Sequence, residues 1–125
     1  MLSTLKKEST KITPEVLLDQ QNQKFIIKGR SFPENTIEFY QPILQWIQQY
    51  IENPNESSVF EFDMEYFNSS SARIVYKILL MLEKIQDKGK NVVCRWYINK
   101  TDYIGKERIE EMRKMFLIPI EINEK

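Results

Sequence analysis

Residues 58–65 alternate apolar and acidic side chains, with Phe60, Phe62 and Met64 on one side and Glu61, Asp63 and Glu65 on the other. A period of two describes an extended strand with one face buried and the other in water. The pattern returns twice. Phe25 and Ile27 oppose Lys24, Lys28 and Arg30, and Val92, Cys94, Trp96 and Ile98 oppose Arg95 and Tyr97. A sheet covered on both faces reads as continuous apolar runs. Helices in this chain must therefore lie on one side of the sheet only, leaving opposite charges on different strands to pair across the other.

Between the strands, apolar residues recur at helical spacing. Tyr40, Ile43, Leu44, Ile47, Tyr50 and Ile51 predict an amphipathic helix that starts with a cap at Asn35 or Thr36 and ends near Asn53-Pro54. Pro42 falls near its beginning, where a missing N–H costs least. Residues 69–88 predict a second helix with Ala72, Val75, Ile78, Leu79, Leu82 and Ile85 inward, stopped by Gly89. Residues 105–115 predict a shorter third helix through Ile109, Met112 and Phe116. Residues 13–19 and 24–30, joined by the polar turn 19–23, read as a hairpin. Residues 117–122 read as a last strand, confined to an edge by Pro119.

Residues 1–11 are polar and read as a loose lead-in to one domain over 12–125. The order β-β-α-β-α-β-α-β implies an α/β fold with a small mixed, largely parallel sheet of about five strands. Its one-sidedness is similar to the STAS architecture of anti-anti-sigma factors.

Composition excludes several kinds of chemistry. The chain has no histidine, and Cys94 is its only cysteine, so His/Cys zinc sites and Ser-His or Cys-His catalytic pairs are out. Cys94 lies in an apolar run and reads as a buried, inert thiol that fits a reducing compartment. With 18 basic and 18 acidic side chains the formal charge is zero, which argues against nucleic-acid binding. The first residues lack the apolar run of a secretory signal, and no segment approaches the ~20 apolar residues of a membrane span. These features point to a soluble cytoplasmic protein without cofactor or metal. Asp63, Glu65 and Asp102 have no nucleophile-base arrangement around them, which leaves a hydrolase unsupported.

The chemistry that remains is concentrated in Tyr66-Phe67-Asn68-Ser69-Ser70-Ser71-Ala72-Arg73, where a strand runs through hydroxyls into a helix. Side-chain oxygens and free backbone N–H groups coincide there, a place that holds a phosphate or acquires one covalently. Read locally, Asn68-Ser69-Ser70-Ser71 is also plain helix capping. Residues 29–35 likewise read as an ordinary strand-to-helix loop. Trp46 falls off the main helix stripe and stands out as an exposed anchor for a partner.

Four motifs together resemble the SiaC family of bacterial regulatory phosphoproteins. They are Thr13-Pro14-x-Val16-x-x-Asp19, Gly29-Arg30-Ser31-Phe32-Pro33-Glu34-Asn35, Tyr66-Phe67-Asn68-Ser69-Ser70-Ser71, and Arg95-Trp96-Tyr97 with Asp102 following. The resemblance runs from Thr13 onward. It implies a STAS-like protein without enzymatic activity, phosphorylated on one hydroxyl by a kinase related to histidine-kinase-type ATPases and dephosphorylated by a PP2C-type phosphatase. The unmodified form would engage a target such as a diguanylate cyclase, in c-di-GMP signalling and biofilm regulation, and phosphorylation would block that engagement. By motif the acceptor maps to Ser69, where the family usually has threonine. Asn68, Ser70 and Ser71 would support it, and Arg30, Ser31, Phe32, Pro33, Glu34 and Asn35 would form partner-binding surface. The alternative is a STAS-like sensor that uses the same helix start for a free anion or nucleotide.

Overall fold

The computed structural model describes residues 2–125, and Met1 lies outside them. The chain runs β1 (Leu5–Lys7), β2 (Glu15–Asp19), β3 (Lys24–Ser31), α1 (Thr36–Glu52), β4 (Ser57–Phe67), α2 (Ser69–Asp87), β5 (Asn91–Ile98), α3 (Tyr103–Arg113) and β6 (Ile120–Glu124). The strands form one sheet in sequence order, β1-β2-β3-β4-β5-β6. The first three are antiparallel, and β3 to β6 are parallel. Each parallel step carries one helix, and every step moves the same way across the sheet. Right-handed crossovers then place α1, α2 and α3 on a single face.

The alternation seen in the sequence sets which face that is. Phe60, Phe62, Met64, Val92, Cys94 and Trp96 are buried under the helices. Phe62 stacks on Trp96 at 4.9 Å between ring centroids, and Phe25 on Phe60 at 4.6 Å. On the uncovered face Arg95 lies 3.9 Å from Glu61 and 3.5 Å from Glu121, and Tyr97 donates to Glu61 at 2.8 Å. Asp63 pairs with Lys125. The Glu61-Asp63-Glu65 row is thus a charged, solvent-facing surface whose exposed pairs contribute little individually.

Helix ends follow their local chemistry. Asn35 caps α1 by accepting from the Glu38 N–H at 3.0 Å. At the end of α2, Gly89 (φ 81°) donates to Gln86 O and Lys90 N–H to Ile85 O, a Schellman closure that a left-handed residue permits. Pro42 sits deeper in α1 than the sequence reading placed it, past the first turn. There its missing N–H removes the helical bond to the Glu38 carbonyl rather than falling on an already unpaired position.

Two expectations are corrected at the N-terminus. The lead-in expected to be loose over 1–11 contains a strand at Leu5–Lys7, which pairs with β2 and brings the sheet to six strands instead of about five. Leu2 N–H also donates to Gln20 Oε1 at 3.1 Å. The second correction follows from the first. Trp46 is only 7% exposed, stacked on Tyr50 with its Nε1–H donating to the Ser3 carbonyl at 2.7 Å. The segment read as loose helps to cover the side chain read as exposed. Strand limits shift too: β6 starts at Ile120, although Pro119 still supplies its carbonyl to Cys94 N–H at 2.9 Å.

Burial pushes the Cys94 thiol well above its ordinary 9.0 and the Tyr40 phenol above 10.0. Both groups are neutral in the fold and ionise more easily in the unfolded chain. Their stabilisation is therefore complete below pH 9 and is lost as pH rises past these ordinary values. Urea midpoints followed by tryptophan fluorescence should be flat up to pH 9 and then fall, at most about 1.4 kcal/mol per pH unit for each group. Cys94→Ala should delay the fall toward pH 10. A midpoint unchanged through pH 10.5 in the wild type would contradict it.

Candidate functional site

The carboxyl ends of β3, β4 and β5 lie side by side, so the starts of α1, α2 and α3 gather along one edge of the sheet. Two motifs separated in sequence meet there. Between Gly29, held at φ 122°, and Arg30 the β3–β4 register shifts, with Glu65 the extra residue on β4, which sets Arg30 opposite Tyr66 and Ser31 opposite Phe67. Asn68 N–H then donates to the Ser31 carbonyl at 3.1 Å. Above this junction the Phe32 and Tyr66 rings meet edge to face at 5.7 Å, with the Arg30 guanidinium 5.2 Å over Phe32.

The three serines take three different environments because successive helix residues point about 100° apart. Asn68 is the cap, its Oδ1 accepting from Ser71 N–H at 2.9 Å and from the Ser70 hydroxyl at 3.2 Å. Ser70 Oγ also lies 2.8 Å from Thr36 Oγ1, tying α2 to the first turn of α1. Ser71 is 0% exposed; its Oγ lies 2.8 Å from Ser31 Oγ and donates to Ser31 O at 3.1 Å. Ser31 Oγ continues to Tyr40 OH at 2.6 Å, which completes a buried hydroxyl chain linking β3, α1 and α2. Burial raises the Tyr40 phenol despite the opposing bonds from Ser31 and Ser71, so it remains a neutral donor in that chain. Ser69 alone is exposed, and its hydroxyl enters none of these bonds.

The group 30–35 expected as partner surface divides. Arg30, Glu34 and Asn35 are exposed and Phe32 is half-buried, but Ser31 and Pro33 are buried and cannot touch a partner. Ser31 belongs to the buried hydroxyl chain. Asp102 is the cap of α3, its Oδ1 accepting from Gly105 N–H at 2.9 Å. Sequence reasoning passed over Arg108, which lies 3.9 Å over the Phe67 ring and donates to the Phe67 carbonyl at 3.4 Å. It also passed over the exposed apolar residues Tyr103 and Ile104 along the same edge. Their off-stripe positions on the helix were the available signal. Among the described residues no helix is long and apolar enough to cross a membrane.

Fold and site define a single mixed α/β domain, helices on one face, that presents one unengaged hydroxyl at the start of its central helix. The chain belongs to the SiaC family: the model for SiaC family regulatory phosphoproteins matches residues 7–125. An uncharacterized protein of Pseudomonas aeruginosa strain UCBPP-PA14 is 26% identical over 121 residues, covering 97% of this chain and 96% of that protein. The crystal structure of apo-SiaC from Pseudomonas aeruginosa is similar with a TM-score of 0.89 at 26% identity, over 98% of this chain and 99% of that one. A second structure, of the diguanylate cyclase SiaD in complex with its activator SiaC from the same organism, matches with a TM-score of 0.90 at 25% identity, over 97% and 99%.

Proposed function

We propose that this chain is a non-catalytic cytoplasmic signalling protein whose phosphorylation on Ser69 switches its binding to a diguanylate cyclase. In this reading a kinase of the histidine-kinase-like ATPase type adds the phosphate and a PP2C-type phosphatase removes it. The observation that carries the reading is the division of labour among the serines. Ser70 is tied to Thr36 and Asn68, Ser71 is sealed inside, and Ser69 offers a free hydroxyl at the surface. Membership of a regulatory phosphoprotein family and a relative's complex with a cyclase support the same reading.

The test is incubation with the cognate kinase and ATP, followed by peptide mass spectrometry. Label is expected on Ser69, removable by the phosphatase and absent from Ser69→Ala. Efficient labelling elsewhere with an unmodified Ser69 overturns the site. No labelling, together with saturable thermal stabilisation by one nucleotide, favours the sensor reading instead.

A further inference from the structure

The arginines of this chain fall into two groups. Arg95 and Arg113 are paired with carboxylates. Arg30, Arg73 and Arg108 are in no ion pair among the described residues, and they sit on β3, α2 and α3, whose ends meet along the edge that carries Ser69. Their directions separate them. Ser31 and Phe67 are buried toward the helices, so Arg30 beside Tyr66 points to the other side of the sheet. Arg73 is exposed and follows Ser69 by four residues, one turn along the same helix face. Arg108 comes from α3. Its guanidinium covers the Phe67 ring at 3.9 Å and donates to the Phe67 carbonyl, two residues before Ser69. Ser69 itself is turned toward α3. Tyr76, seven residues on and nearly in line with it, meets Phe116 just beyond that helix at 5.9 Å between ring centroids. Glu65 and Asp102 line the same cavity as Arg108, yet neither is within ion-pair distance of it, and Asp102 is held at the Gly105 N–H.

We propose that Arg73 and Arg108 form a clamp that receives the phosphate on Ser69, one arm from its own helix and one from α3. The inference rests on the proposed switch and adds the residues that answer the modified state. A guanidinium has five N–H donors, and the long 3.4 Å bond to Phe67 O occupies one of those on Arg108. It can therefore stay on the ring and turn other donors to a phosphate oxygen. Three acceptor oxygens leave room for both arms. Phosphorylation then fastens α3 to α2 beside Phe67 and breaks no bond of the buried hydroxyl chain. Both arginines are exposed, so the clamp adds little to global stability. Covering it means drying three ions together, so it does not relieve the block on a partner.

The test uses the full chain with phosphoserine incorporated at position 69 by codon suppression, titrated by ³¹P NMR. The second phosphate pKa should lie below its ordinary value of about 6, because nearby cations favour the dianion. Arg73→Gln/Arg108→Gln should titrate about 0.5 pH unit above the parent phosphoprotein, and each single variant about half as far. The helix start is common to all of them, so the difference reads the guanidinium groups alone. In the parent, the Nε–H signals of Arg73 and Arg108 should move on phosphorylation while those of Arg30, Arg95 and Arg113 stay. Arg108→Lys keeps the charge and should titrate below Arg108→Gln, which separates the cation from any loosening of α3. Identical titrations throughout overturn the clamp and leave the switch standing. A change in Arg73→Gln with none in Arg108→Gln overturns the arm from α3. A cognate kinase that labels the chain elsewhere and leaves Ser69 unmodified overturns the switch, and the clamp with it.

Discussion

Stoichiometric phosphorylation of Ser69 is expected to weaken cyclase binding by more than about a hundredfold while leaving the melting temperature essentially unchanged. The two halves of this result have different origins. Within the free protein, the phosphate meets the positive end of the α2 dipole, a favourable term of about 0.3–1 kcal/mol, and Asn68 already holds the cap. The Ser69 hydroxyl enters none of the site's bonds, so none of those bonds is broken by modifying it. In the complex, a surface closing over Ser69 must strip water from a dianion, a penalty of several kcal/mol unless a cation answers it. A net loss of ~3 kcal/mol already exceeds a hundredfold. Calorimetry on phosphorylated and unmodified protein, with Ser69→Ala as the form that binds but ignores the kinase, reads the effect directly. Equal affinity for the two forms, or a collapse of the melting transition on phosphorylation, contradicts it.

How far the fold was readable depended on periodicity. Phe60, Phe62 and Met64 against Glu61, Asp63 and Glu65 were enough to place every helix on one face, because a strand buried on both sides cannot carry that row of carboxylates. The stripes from Tyr40 to Ile51 and from Ala72 to Ile85 gave α1 and α2 in the same way. Leu5–Lys7 had no such signal. Three residues, two of them lysine, show no period, and their strand exists only because β2 offers an edge to pair with. Trp46 was misplaced for the same reason, since part of its cover comes from that strand's neighbourhood, where the Ser3 carbonyl accepts from its Nε1–H. The site shows the same divide. A helix start rich in hydroxyls was legible at 68–71, but the bond from Ser71 to Ser31 spans 40 positions of sequence and follows a register shift between Gly29 and Arg30. Within the motif 29–35 the burial of Ser31 and Pro33 was not legible, because it follows from that tertiary junction.

Ser71→Asp is expected to lose most of the protein's stability, whereas Ser69→Asp should unfold within about 0.5 kcal/mol of the wild type. Ser71 is fully buried, and its oxygen faces the Ser31 carbonyl as well as the Ser31 hydroxyl. A carboxylate there meets one hydroxyl donor and one lone-pair dipole, with no cation in its hydrogen bonds to answer the charge. Leaving a buried charge uncompensated costs about 3–5 kcal/mol, against about 5–15 kcal/mol for a whole domain. The group escapes part of that cost by staying protonated, so its folded pKa lies above its unfolded value. Its neutral form then favours the fold at low pH, and stability declines as pH rises past the ordinary carboxyl value of about 3.9. Urea midpoints of Ser71→Asp should therefore fall between about pH 4 and pH 7, while Ser69→Asp stays close to the wild-type profile. A Ser71→Asp protein as stable as the wild type at pH 7 would sink the assignment. The contrast isolates what helix rotation does in this site: the hydroxyl turned outward at Ser69 can carry negative charge in a folded chain, and the one turned inward at Ser71 cannot.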